Sequence, residues 1–183
     1  MLEMNKKWIL VIILGIATMV LIIGGKKYLD KKSAEKEYQD GVELIQNYVT
    51  DYLVHNYQGI EKIEWQGVGI EWRNSKTMGP SLFGNYVNSK VKIIISENNY
   101  FTMKFTLTSE TEYDENLKKY VLLDTLNPKN IDSLLEMEIE NTVGKFNIGD
   151  KLTKLESEKI KKSNKGSQNA EVIYNLGIYE LKY

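Results

Sequence analysis

The chain has 183 residues with 24 basic and 25 acidic side chains, giving a formal net charge of −1, so it lacks the basic excess of a dedicated nucleic-acid binder and no nucleic-acid partner is expected. It contains no Cys, and His55 and Arg73 are the sole residues of their kinds. Disulfide scaffolds, Cys-based zinc sites, thiol catalysis, His-pair metal sites and arginine clusters are thereby excluded.

The first element is an apolar run at 8–25, WILVIILGIATMVLIIGG, which opens at Trp8 and closes at Gly25. It carries no charge and lies between Lys7 and Lys26. As a helix at about 1.5 Å per residue it spans roughly 27 Å, enough for a bilayer core, and Trp8 stands where an indole favours the interface. The run predicts an N-terminal transmembrane helix that holds the chain in the membrane. No A-x-A-like pattern follows it, so an uncleaved anchor is expected. Lys6 and Lys7 precede the run, while Lys26, Lys27, Lys31, Lys32 and Lys36 follow it. The positive-inside count alone argues for a cytoplasmic C-terminal domain. The short N-terminus with its Lys pair has the layout of a secretory signal, and on that ground the domain is expected outside the membrane. The predicted organisation is a tail and anchor over 1–25, a basic stalk over 26–37 and an extracytoplasmic domain over 38–183. Removing Lys6, Lys7 and Glu3 from the count leaves everything beyond the anchor, residues 26–183, with a net charge of −2.

Within 33–57, Tyr38, Val42, Ile45, Val49 and Tyr52 recur at helical spacing, which predicts an amphipathic helix ending near Gly59. Gly24-Gly25 offers a hinge before it, and Gly41 a place to bend. From Ile60 the period becomes two. Ile63 and Trp65 alternate, then Val68, Ile70 and Trp72, with the phase changing at Gly67 as at a β-bulge. Residues 73–81 read as a turn, 82–88 as a second strand, and Asn88-Ser89-Lys90 as a further turn. Val91, Ile93 and Ile95 form a third strand, and Asn98-Asn99 a hairpin. Phe101, Met103, Phe105 and Leu107 alternate with polar residues, which predicts a strand with one face in the core. Residues 109–116 read as a polar loop, and 120–123 as a short strand. Asn127-Pro128 caps a helix whose buried face is Ile131, Leu134, Leu135 and Ile139. Residues 156–171 read as a solvated loop, and the final VIYNLGIYELKY as a strand inside the sheet. The sum is an α+β fold, a helix packed on a mostly antiparallel meander sheet, which is similar in outline to small cystatin-like or nuclear-transport-factor-like folds.

Candidate sites are few. His55 has Asp51 four residues earlier, but a general base also needs a cleft. Glu110, Glu112, Asp114 and Glu115 offer oxygen ligands without the spacing of a calcium loop. Glu136, Glu138 and Glu140 offer an acidic run. No serine elbow or phosphate loop occurs. No catalytic, cofactor-binding or metal-binding residue is assigned, and no enzyme activity is expected. Trp and Tyr dominate binding hot spots, and the chain has 12 Tyr and 3 Trp. A partner-binding face is therefore expected at Trp72, Arg73, Met78, Tyr86, Tyr100 and Tyr113, acting on a protein partner. A structural role in a cell-envelope complex and a small-ligand or enzymatic pocket are the alternatives.

One stretch carries a resemblance: Ile63-Glu64-Trp65, Val68-Gly69-Ile70, the polar turn from Asn74 to Pro80, and Gly84-Asn85-Tyr86-Val87-Asn88. Over roughly 1–108 the chain resembles small membrane-anchored proteins of Gram-positive bacteria from uncharacterised domain families. Met78-Gly79 and Tyr86-Val87-Asn88 match their turn and hairpin, whereas Pro80 follows Met-Gly instead of preceding it. The architecture is also similar to immunity proteins for toxins of the type VII secretion system. That resemblance implies a single-pass protein whose outer domain neutralises a secreted toxin, and it supplies no catalytic residues.

Overall fold

A computed structural model describes residues 6–73 and 84–182, with the side chains of the first helix given from Ile23 onward. The chain divides into two compact units, Met1–Lys36 and Glu37–Tyr183. The first helix, α1 (Lys6–Asn56), continues from one into the other. It is unbroken at Gly24-Gly25, so the expected hinge is not formed. Among the described residues no helix is long and apolar enough to cross a membrane. In the first unit, Ile23, Tyr28 and Leu29 are exposed, and Glu35 is flanked by Lys31 and Lys32 at 3.9 and 3.8 Å.

In the second unit the expected stripe of α1 is the buried one. Val42, Ile45, Val49 and Leu53 are wholly excluded from solvent. Gly41 serves close packing, not a bend. A Cβ there would stand 2.6 Å from Leu107 Cδ1 and 2.8 Å from Tyr120 Cγ. After α1 come β1 (Tyr57–Gln58), β2 (Lys62–Glu71), β3 (Tyr86–Ser96), β4 (Asn99–Thr106), α2 (Leu107–Glu110), β5 (Thr111–Asp114), β6 (Lys119–Leu122), α3 (Pro128–Val143), α4 (Lys154–Ser157), β7 (Lys161–Lys162), β8 (Glu171–Ile173) and β9 (Ile178–Glu180).

The main sheet has the order β4-β3-β2-β8, with β9 also on β2. Strands β2, β3 and β4 form an antiparallel meander, while β8 and β9 run parallel to β2. Ile63, Trp65, Val68 and Ile70 of β2, Val91 and Ile93 of β3, and Phe101, Met103 and Phe105 of β4 pack with the α1 stripe in one core. The buried indole N–H of Trp65 donates to Thr50 Oγ1 of α1 at 2.9 Å, so helix and sheet also share a satisfied polar contact. Ile131 and Leu135 of α3 join the same core. The cap of α3 is as expected, Asn127 Oδ1 accepting from Asn130 N at 3.0 Å.

Five expectations need correction. No turn forms at Asn88-Ser89-Lys90, and β3 runs straight through. Asn88 and Ser89 are buried, and Ser89 Oγ donates to Gly67 O at 2.8 Å, closing the bulge that lies between Trp65 and Val68. The polar loop at 109–116 is instead α2 plus a hairpin of β5 and β6. The loop at 156–171 is not merely solvated. Ser167 is buried, its N–H donates to Val54 O, and its hydroxyl bonds Tyr57 O at 2.7 Å and Ile60 N at 3.0 Å. A distant segment thus caps the end of α1. The final strand is not inside the sheet but along its edge, split into β8 and β9 opposite the Gly67 bulge. Leu107 begins α2 instead of ending β4.

Candidate partner-binding face

The strands alternate, so the face turned away from α1 is set by the same period that builds the core. It carries Lys62, Glu64 and Gln66 from β2, Lys90 and Lys92 from β3, and Tyr100, Thr102 and Lys104 from β4. An open trough of about 660 Å³ lies on this face. Gln66, Lys90, Lys92 and Lys104 are on its floor, Tyr179 is on one side, and Glu138, Asn147, Ile148 and Asp150 are on the other.

The register places Lys90 directly opposite Lys104. Like charges in that position oppose pairing. Lys92 Nζ lies 3.7 Å from the centre of the Tyr100 ring, a cation–π contact. Among the described residues Lys90, Lys92 and Lys104 form no ion pair. The two carboxylates of the wall are engaged elsewhere. Asp150 accepts from Thr102 N at 2.8 Å and Thr102 Oγ1 at 2.9 Å, and Glu138 accepts from Asn147 Nδ2 at 2.8 Å.

The wall is fixed in place. Tyr100 OH donates to Gly149 O at 2.8 Å, and Lys151 N donates to Tyr100 O at 3.1 Å. Gly149 takes φ +96°, a left-handed turn open to glycine without steric cost. The segment so held presents Phe146 and Ile148 to solvent, at 78% and 102% relative exposure.

Of the six residues expected to bind a partner, three share this outer face. Tyr100 lies in the trough. Arg73 stacks over the Tyr86 ring at 5.2 Å and reaches Glu71 Oε2 at 3.0 Å. Burial alone would raise the Tyr86 hydroxyl, but hydrogen bonds with Thr106 and Asn88, and the charge and hydrogen bond of Lys104, outweigh it and hold the phenol below its ordinary value. Trp72 points the opposite way and packs against Tyr38 with ring centres 6.2 Å apart, at the rim of the core. Tyr113 belongs to a separate hairpin, edge-on to Tyr120 at 5.4 Å. Met78 lies outside the described residues. The expected cluster is therefore divided. Lys90, Lys92, Lys104, Ile148 and Tyr179 belong to the face and were not foreseen. The lysines were visible as the polar partners of the alternating runs, but their convergence depends on register.

The remaining candidates resolve into structural roles. His55 is exposed, with Nδ1 2.8 Å from Asp51 O and 3.1 Å from Asp51 Oδ1, on the last turn of α1. Among the described residues no group of three or more acidic or His side chains is placed to hold a metal. Glu110 Oε2 accepts from Thr106 N at 3.0 Å, and burial raises its carboxyl to about 7. Asp132 of α3 binds Tyr52 OH, Tyr57 OH and Lys162 Nζ, each at 2.6 Å, and so ties α1, β1, α3 and β7 together. Comparison with protein-family models, with curated proteins and with solved structures yielded no match to this chain.

Proposed function

We propose that this chain is a single-pass membrane-anchored, non-enzymatic protein-binding module, and that it binds through the outer face of its sheet. The observation that carries the binding role is the fixed trough, whose floor holds Lys90, Lys92 and Lys104, none in an ion pair among the described residues, and whose wall exposes Ile148. Apolar side chains held rigidly beside polar ones are the composition of an interface, in which a few buried anchors supply most of the affinity. The anchor rests on the uncharged run at 8–25, which is helical from Lys6 onward. In its specific form the module is an extracytoplasmic immunity protein that caps a secreted toxin.

Two measurements test this. A photocrosslinking residue replacing Tyr100 should capture a discrete protein in cells producing the native complex, while the same residue at exposed Glu43 on α1 should not. Equal capture at both positions, or none at either, removes the outer face from consideration. The chain has no Cys, so one introduced cysteine reports topology cleanly. Asn164→Cys is exposed and should react with a membrane-impermeant thiol reagent in intact cells. Reaction only after lysis places the domain in the cytoplasm and overturns the toxin reading.

A further inference from the structure

We infer that the occupant of the trough is an acidic protein segment, gripped by Lys90, Lys92 and Lys104 and anchored by an apolar residue against Ile148. This rests on the protein-binding reading and specifies its partner. Charge complementarity is the first argument. Three ammonium groups converge on one floor and, among the described residues, none is in an ion pair; Glu64 stands across from Lys92 but reaches Lys62 at 3.8 Å and Gln66 Nε2 at 3.2 Å instead. The two acids of the wall already accept hydrogen bonds from Thr102 and Asn147, so they hold the wall and leave the floor positive. The second argument is shape. The lysines lie in a trough between Tyr179 and the 147–150 segment, which admits a protruding chain more readily than a flat lipid surface. The third is the apolar rim. Ile148, fully exposed on the wall, gains nothing from a fully charged ligand, so the segment that fits both features is acidic with an apolar residue beside the charges. A facing carboxylate also removes the Lys90–Lys104 repulsion, so its binding is favoured by relief as well as attraction.

The test uses the full chain in phosphatidylcholine nanodiscs. The ligand offered is a fluorescent octaglutamate peptide, with octalysine as control. Octaglutamate should bind, and binding should weaken as salt is raised. Lys90→Glu/Lys104→Glu should weaken it by about tenfold or more, whereas Lys129→Glu/Lys154→Glu, which moves the same net charge elsewhere, should have little effect. The same two double variants are then carried into the Tyr100 crosslinking assay. Loss of the captured protein in the first and retention in the second supports the inference even where the short peptide binds weakly. Capture unchanged in both, with no peptide binding, overturns the acidic partner and leaves the docking face standing. Peptide binding without any capture overturns the protein partner and leaves an anion-selective face. A lipid headgroup as the occupant is recognised by a third result. In that case the amide resonances of Lys90, Lys92 and Lys104 shift when phosphatidylglycerol replaces phosphatidylcholine and stay fixed on adding peptide, which also overturns the inference.

Discussion

Asp132 joins four elements through one carboxylate, and its removal should be among the costlier changes of a single polar side chain. Tyr57 is 5% exposed, and Asp132 itself is mostly buried at 23%. Asp132→Ala leaves the Tyr57 hydroxyl buried without an acceptor, at about 1–3 kcal/mol. The lost pairing with Lys162 adds little, about 0–1 kcal/mol, because that lysine is 58% exposed. A total near 2–3 kcal/mol corresponds to a fall in Tm of about 4–12 °C for a domain of this size. Urea denaturation followed by Trp fluorescence measures it. Tyr57→Phe removes the orphaned donor, so the double variant should recover part of the loss. Burial pushes the Asp132 carboxyl up, but Lys162, Tyr52 and Tyr57 together hold it below the ordinary value. A depressed carboxylate contributes stability above its unfolded pKa and loses it as pH falls through the folded one. The wild type should therefore lose this increment below about pH 4, and the Ala variant should not. A loss under about 0.5 kcal/mol, of the size expected at an ordinary surface position, would refute the reasoning.

Gly41→Ala should destabilise by about 1–3 kcal/mol through overpacking against Leu107 and Tyr120, despite a helix-propensity gain of about 1 kcal/mol, and thermal melts decide which wins. Gly67→Ala combines φ +93° with a Cβ 2.4 Å from Gly177 O. It should strip hydrogen-exchange protection from β8 and β9 while β3 and β4 keep theirs. Glu110 is raised by burial, so its fold contribution is present below the unfolded value near 4.5 and is lost as pH rises through about 7. Glu110→Gln should flatten the stability profile between those limits, and an unchanged profile would assign the pH dependence to other groups.

The parts of the fold that were legible in the sequence rest on local periodicity. The alternation of Phe101, Met103 and Phe105 defines β4, Asn127 with Pro128 starts α3, and Gly67 marks the bulge. What was not legible depends on contacts between distant segments. Asn88 and Ser89 have turn-forming side chains, yet they stay in strand because Gly67 offers Ser89 an acceptor. Ser167 looks solvent-loving until the open end of α1 is brought beside it. The trough has the same origin. Ile94 pairs with Tyr100, but Ser96 pairs with Asn99, so one residue is extruded near Ile95. That irregularity keeps Phe101, Met103 and Phe105 on the core side and brings Lys104 opposite Lys90. A one-residue slip would reverse both faces at once.

The opposed lysines link stability to the proposed function. Nothing in the core requires Lys at either position, since both side chains are exposed. A sheet optimised for stability alone would set opposite charges there, as Lys92 and Glu64 stand opposite each other on neighbouring strands. Lys90→Glu converts the repulsive cross-strand pair into an attractive one. It should raise stability by about 0.5–1 kcal/mol, or about 1–4 °C in Tm, with the gain shrinking as salt is added. The same change places a negative charge on the trough floor and should weaken an acidic partner. Stability and binding then move in opposite directions on one substitution. This is the signature of a pair retained for recognition at the expense of the free fold. If Lys90→Glu leaves Tm unchanged, the two ammonium groups avoid each other in solution and the relief argument fails. If it raises Tm and leaves partner capture intact, the repulsion is real but serves no recognition at this face.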